Sequence, residues 1–396
     1  MKGIINARVI MPDAVDNFTV VKERAVLYDE RITHILPMSA WRREMCDEVT
    51  NAHGLYLSPG FINIHVHGSA GYDTMDDDPR ALPEMASFQA KTGVTAFLPT
   101  TMTEPKDKIF AALSRIRAAT HDTLNGAAIL GANMEGPFLG ADAAGVQSVA
   151  DLCPAEFDGI APFADVIKIL TVAPEMISDP DFVRRAQSSG IVLSLGHTAA
   201  DYDTAVKFIK EYGIKHITHT FNGMKPFHHR APGAVGAALD SEARCEIIAD
   251  FVHVHPMALR LLYRVKKPGQ IIIVTDSLRA CGMGDGKYEF GGREVTVTKG
   301  VASLPDGTLG GSVLPLNRMI KNFADATDAP LTEVIMAVTK TPAVELKLYD
   351  DRGSIEVGKL ADFTIFDDNL NILATIAKGR TVYRNTPQER ERPQTM

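Results

Sequence analysis

The chain has 396 residues, 45% hydrophobic and 23% charged, with a formal net charge of −8. That length accommodates one large domain and a smaller one, and the mild acidic balance excludes a nucleic-acid surface, which needs clustered Lys and Arg. Four scattered cysteines (Cys46, Cys153, Cys245 and Cys281) form no C-x-x-C pair, which argues against a disulfide framework or a cysteine zinc site and for a reducing, cytoplasmic setting.

The opening MKGIINARVIMPDAVDN is interrupted early by Asp13 and Asp16 and has no apolar core of signal-peptide length. No stretch reaches the roughly 18 apolar residues of a membrane span, so no membrane partner is expected. Residues 1–56 read as short β segments (GIINARVI, FTVVKERAVLYD, RITHILP, EVTNAHGLYLSPG) whose alternation and intervening Asp, Asn and Gly predict an antiparallel sheet. The same texture returns in GSIEVGKLADFTIFD and NILATIAKGRTVYR. Residues 1–56 and 348–390 are therefore expected to build one small β-sandwich domain, followed by a frayed polar tail, TPQERERPQTM.

Between them, residues 57–347 alternate apolar runs with helical stretches. The runs are GFINIHVHG, GVTAFLPT, AAILGANMEG, VIKILTVAPE, IVLSLGHT, HITHTFN, EIIADFVHV and QIIIVTDS. Segments such as DYDTAVKFIKEY between them have 3.6-residue apolar spacing. Eight βα units predict an α/β fold, a (β/α)₈ TIM-like barrel, with an open doubly wound sheet as the competing arrangement.

The polar residues favour the barrel, because active sites of that fold form where strands end. In the first run His65 and His67 share a face with Asn63, since side chains alternate along a strand, and two imidazoles so spaced reach one metal ion. The third run closes on Glu135, the fifth on His197, the sixth on His219 and the eighth on Asp276. Each alone has a bland explanation: a loop carboxylate, or a satisfied core histidine. Together they form a set of imidazoles and a carboxylate suited to Zn²⁺ or Fe²⁺, with Asp276 placed to act as base and then acid. His228, His229 and Arg230 make a basic cluster in the loop after the sixth run, readable as a solvated loop or as an anion site. His253 ends the seventh run and is expected to face the same cavity. His216 opens the sixth, at the wrong end, and is expected to pack or cap.

These motifs resemble the N-acetylglucosamine-6-phosphate deacetylases of the amidohydrolase superfamily, from SPGFINIHVHG through MEGPF, SLGHT, HTFNGM, HHRAPG and VTDS to DGTLGGS and GSIEVGKLADF. The resemblance implies an ion on Glu135, His197 and His219, and a second on His65 and His67 with Glu135 as the bridge, hence one or two metals per chain. It implies Asp276 as the proton carrier and a small amino-sugar phosphate as substrate. Asn222, Gly223, Leu309, Gly310 and Gly311 match sugar contacts, and Arg230 and His253 match phosphate contacts in a homodimer. Three positions depart from the pattern. Gly145-Val146-Gln147 stands where Gly-x-His is common, leaving Gln147 as a hydrogen-bond donor to substrate that cannot carry a proton. Phe251 replaces a Gly and is expected to add bulk near the cavity, and Gly223 replaces an Ala and is expected to enlarge the pocket. The galactosamine epimer, a cyclic amide, or a silent sugar-phosphate sensor are the competing functions. The first differs by one hydroxyl, the second leaves the HHR cluster without purpose, and the third leaves the ligand set unexplained.

Overall fold

A computed structural model describes residues 1–385. The tail TPQERERPQTM and the end of the 348–390 segment lie outside the described residues. All eight apolar runs contain strands, here β1 (Phe61–Val66), β2 (Val94–Pro99), β3 (Ala132–Glu135), β4 (Ile167–Val172), β5 (Val192–Leu195), β6 (His216–Ile217), β7 (Arg244–Ile248) and β8 (Ile271–Val274). Strands β3 to β8 form one parallel sheet in chain order, and β1 pairs in parallel with β2 in another. Backbone hydrogen bonds join the two sheets at both seams. Thr101 N donates to Asn133 O at 3.0 Å between β2 and β3, and Asp276 N donates to His65 O at 3.0 Å between β8 and β1. The continuous apolar character of strands such as Ile271–Val274, buried throughout, follows from having both faces covered.

Most helices between the strands bury one stripe, whereas the short Gly233–Leu239, made mostly of small residues, is buried nearly all round. In the helix Tyr202–Glu211 the buried residues are Ala205, Phe208 and Ile209, at helical spacing, and Asp201 caps the start by accepting from Thr204 N. This arrangement sends the C-terminal ends of the strands to one mouth, where the predicted polar residues lie.

At the chain ends a six-stranded sheet takes Arg8–Pro12, Phe18–Val21 and Tyr56–Pro59 from one terminus and Phe363–Phe366, Ile372–Ala377 and Arg380–Arg384 from the other. A four-stranded sheet of Lys2–Ile5, Arg24–Tyr28, Ile32–Pro37 and Glu48–Asn51 accompanies it, and Ile4, Val26, Leu57, Phe363 and Ile376 pack in one apolar cluster. The expected antiparallel pairing of residues 1–56 holds for Arg24–Tyr28 with both its neighbours and for Arg8–Pro12 with Phe18–Val21, and needs correction at two pairs. Lys2–Ile5 runs parallel to Glu48–Asn51, and Arg8–Pro12 runs parallel to Tyr56–Pro59. Alternation specifies which face is buried but not strand direction, and the connections between these pairs are long enough for a return crossing.

A further antiparallel sheet of Gly286–Phe290, Arg293–Thr298 and Val301–Ser303 follows β8. The sequence reading missed it, although REVTVT alternates after a Gly291-Gly292 turn.

Candidate active site

His65 lies on β1 and His67 one residue past its end, 0% and 1% exposed, and Glu135 closes β3 at 2%. His197, His219 and Asp276 stand just beyond β5, β6 and β8 with left-handed backbone, φ 46, 25 and 48°. Such a conformation costs a non-glycine residue roughly 1–3 kcal/mol and persists only where the surroundings over-determine it. Here three of the six residues named for chemistry share it, each at the turn from strand to loop.

Hydrogen bonds fix how the rings face. His197 Nδ1 lies 2.8 Å from Ala143 O, and His219 Nδ1 lies 3.1 Å from Asn222 O. A carbonyl only accepts, so each Nδ1 carries a proton and each Nε2 is turned inward. The two Nε2 atoms are 3.1 Å apart, and His219 Nε2 and His197 Nε2 lie 2.9 and 3.3 Å from Glu135 Oε1. Two facing nitrogens at that distance share at most one proton, so a lone pair is left aimed at a carboxylate. A cation between its members, whether a proton or a metal ion, would satisfy these facing atoms. On the other side His65 Nε2 and His67 Nε2 are 3.3 Å apart, with His67 Nε2 3.2 Å from both Glu135 Oε2 and Asp276 Oδ1. Two groups therefore have ligand atoms close enough for one ion: His65, His67 and Glu135, and Glu135, His197 and His219, each within 4.8 Å.

The electrostatics agree. Burial disfavours the charged form of Glu135, yet His197 and His65 hold its carboxyl well below the usual range. Burial alone would lower His67, but the carboxylates of Asp276 and Glu135 raise it to about 10. Protons and a metal ion therefore compete for the His67 imidazole.

Beside these groups is a cavity of about 290 Å³. Val146, Gln147, Asn222, Gly223, His253, Leu309, Gly310 and Gly311 line it, together with His67, Glu135, His197, His219 and Asp276. His65 lies beneath them. Arg230 does not line the cavity. It is exposed, and its Nη1 lies 2.7 Å from the neighbouring His229 Nε2.

Three further expectations change. Gln147 lines the cavity but is already engaged within the protein: Nε2 donates to Glu135 Oε2 at 2.7 Å and lies 3.8 Å from Met102 Sδ, and Oε1 accepts from Thr103 N at 2.7 Å. Phe251 is 41% exposed and is not among the residues lining the cavity, so its bulk does not narrow it. Gly223 does more than widen the pocket, because a Cβ there would lie 2.9 Å from His197 Nδ1 at φ +59°. The absent side chain is what lets the loop pack on the ring.

Sequence reasoning missed Glu246, Asp250 and Phe290. Glu246 is a fully buried carboxylate inside the apolar strand β7, and that mismatch was the available signal. Asp250 Oδ2 lies 2.7 Å from His253 Nδ1, while His253 Nε2 lies 2.7 Å from Gly310 O. Phe290, from the inserted sheet, packs edge-on to His67 with ring centroids 5.3 Å apart. His216 is fully buried, but as a partner of Glu246 at 2.9 Å rather than as a cap.

Residues 56–382 match the model of the amidohydrolase family. A protein of Bacillus subtilis (strain 168) named N-acetylglucosamine-6-phosphate deacetylase is 38% identical over 83% of this chain and 84% of its own. An Escherichia coli O157:H7 protein named N-acetylgalactosamine-6-phosphate deacetylase is 36% identical over 84% of this chain and 89% of its own. The crystal structure of N-acetylglucosamine-6-phosphate deacetylase from Pasteurella multocida superposes with a TM-score of 0.90 at 30% identity, over 97% of this chain and 100% of that one.

Proposed function

We propose that this chain, which belongs to the amidohydrolase family, is a metal-dependent deacetylase that hydrolyses N-acetylglucosamine 6-phosphate to glucosamine 6-phosphate and acetate. The observation that carries the reading is the convergence of Glu135, His197, His219 and Asp276 on one cavity of about 290 Å³, near the lower end of the usual range for small-molecule sites.

The donor set of imidazole nitrogens and one carboxylate fits Zn²⁺ or Fe²⁺. Glu135, His197 and His219 would hold one ion, and His65 and His67 together with Glu135 would hold a second; Glu135 Oε1 faces His197 and His219 while Oε2 faces His67. A divalent ion there supplies Lewis acidity to the scissile carbonyl and to the attacking water. Asp276 takes the water proton on a carboxylate oxygen as the new C–O bond forms. It then delivers that proton to the amide nitrogen as the C–N bond breaks, releasing acetate and the free amine. Burial opposes the charged form of Asp276, but His65 and His67 keep it ionised and ready to accept. Gln147 keeps Glu135 in place.

Asn222, Gly223, Val146 and the Leu309-Gly310-Gly311 turn form the wall that takes the sugar. His253 contributes positive charge at its edge. Arg230, exposed on its own chain, serves a phosphate in the mouth of a second copy, so a homodimer is part of the proposal. A cytoplasmic setting rests on the four free cysteines. The same reading divides the chain into a barrel over 57–347 and a small sandwich of 1–56 and 348–390.

The second reading is the galactosamine epimer, favoured by the E. coli O157:H7 relative. Acetate release from the 6-phosphates of both N-acetylated sugars and from their unphosphorylated forms tests both. Absence of acetate from all four with metal-loaded protein would end the deacetylase reading.

A further inference from the structure

We propose that Glu246 is a positioning residue that makes His65 a metal ligand, and that it is held in this role by a chain of buried groups running down the barrel to Arg244. The inference rests on the reading of His65 and His67 as a second metal pair.

The contacts run through hydrogen bonds except at His216–Glu345, where only an ion-pair distance links the two groups. Glu246 Oε2 lies 2.9 Å from His65 Nδ1 and accepts from His219 N at 3.1 Å, so one oxygen touches residues of both candidate metal groups. Glu246 Oε1 lies 2.9 Å from His216 Nε2. His216 Nδ1 faces Glu345 Oε1 at 3.2 Å, and Glu345 Oε2 accepts from Arg244 Nη1 at 2.6 Å. Glu246, His216 and His65 are fully buried, whereas the Arg244 side chain is 29% exposed. His216 and Arg244 each open their strand, so the path spans the barrel from its catalytic mouth to the opposite end.

A carboxylate at 0% exposure in an apolar strand is costly, and an aliphatic side chain would fill the space at lower cost. Its placement has a chemical consequence. An ionised carboxylate only accepts, so His65 carries its proton on Nδ1, and Nε2 is left as a lone pair directed at His67, Glu135 and Asp276. Carboxylate–imidazole pairs of this kind fix ring tautomer and orientation for metal binding. His216, hydrogen-bonded to the other oxygen, leaves no route for the carboxylate to rotate away.

The test is Zn²⁺ titration of the metal-free full chain against a chromophoric chelator, which reads each binding step without reference to catalysis. Two steps are expected in the wild type. Glu246→Gln is expected to weaken the His65–His67 step by about 10–100-fold, the usual cost of losing such a partner, and to leave the other unchanged. Introduced into His65→Ala, which has only the remaining step, Glu246→Gln should have no further effect. Should Glu246→Gln fail to fold, Glu246→Asp, which keeps the charge but withdraws it from His65, is expected to show the same selective loss. Two wild-type steps in the variant overturn the inference alone. Equal weakening of both steps, or loss of the remaining step in the His65→Ala background, assigns Glu246 to scaffolding or to the His219 amide and overturns it too. A single step in the wild type overturns the second-ion reading and this inference with it, whereas acetate release still judges the deacetylase reading separately.

Discussion

His253 ties the wall of the cavity to the bend after β7, lying 2.7 Å from Asp250 Oδ2 through Nδ1 and 2.7 Å from the Gly310 carbonyl through Nε2. Both partners are acceptors, so the ring makes both bonds only as an imidazolium. Burial works against that charge, but the Asp250 carboxylate raises the ring to about 9. A folded-state value raised above the ordinary 6.5 contributes stability that is complete below about pH 6.5 and lost as the pH rises through about 9. Thermal unfolding should therefore show His253→Gln melting below the wild type at pH 7, with the gap closing by pH 10. A gap independent of pH would mean that the ring packs without titrating.

Asp276→Asn is expected to keep the fold and bound metal while kcat falls about 10²–10⁴-fold, the scale of general acid–base catalysis. Metal analysis and steady-state acetate release check the two halves. Near-wild-type turnover removes Asp276 from proton transfer.

His197→Ala and His219→Ala should lose metal and activity together, since each removes an Nε2 that faces Glu135. His65→Ala should behave differently, dropping from two ions per chain to one and retaining much of the activity. Elemental analysis after dialysis reads the difference.

Gly223→Ala adds a methyl 2.9 Å from His197 Nδ1 at a backbone angle of +59°. The backbone term alone is roughly 1–2 kcal/mol, and the push on the ring should also weaken zinc binding. Calorimetric unfolding with and without zinc separates these effects. A variant with unchanged zinc affinity would show that the ring yields freely.

Arg230→Ala should depress kcat/KM by about 10–200-fold on the 6-phosphorylated sugar, as expected for losing a charge-assisted contact of roughly 1.5–3 kcal/mol. The unphosphorylated sugar should be barely affected. Equal losses on both would make Arg230 structural and remove the phosphate argument, leaving the amide chemistry intact.

The sequence was most informative where a residue's chemistry clashed with its surroundings. His197, His219 and Asp276 each follow an apolar run, so strand ends and polar residues could be read together, and the structure brings them to one mouth. Glu246 broke the pattern of its run just as plainly but stood mid-strand, where the expectation of a catalytic mouth did not look. The partners of Gln147 and His253 were not legible, because Thr103 N and Gly310 O are backbone groups whose positions depend on loops. Arg230 was legible as a charge but not as a distance, since a loop cluster has no periodicity to say which way it points.

The six-stranded sheet joins residues nearly a whole chain apart, with Tyr56–Pro59 paired antiparallel to Phe363–Phe366. During synthesis at roughly 5–20 residues per second, the earlier strand waits about 15–60 s for its neighbour. Throughout that time its apolar face and one backbone edge are open, a template for pairing with another nascent chain. The barrel between them is made first and cannot cover this edge. Crowded ribosomes, slow codons near the 3′ end or a truncated message would then expose one surface in particular. The proposed chemistry lies where the strands β1 to β8 end, so a failure of this sheet would lower yield in the cell without altering the reaction itself.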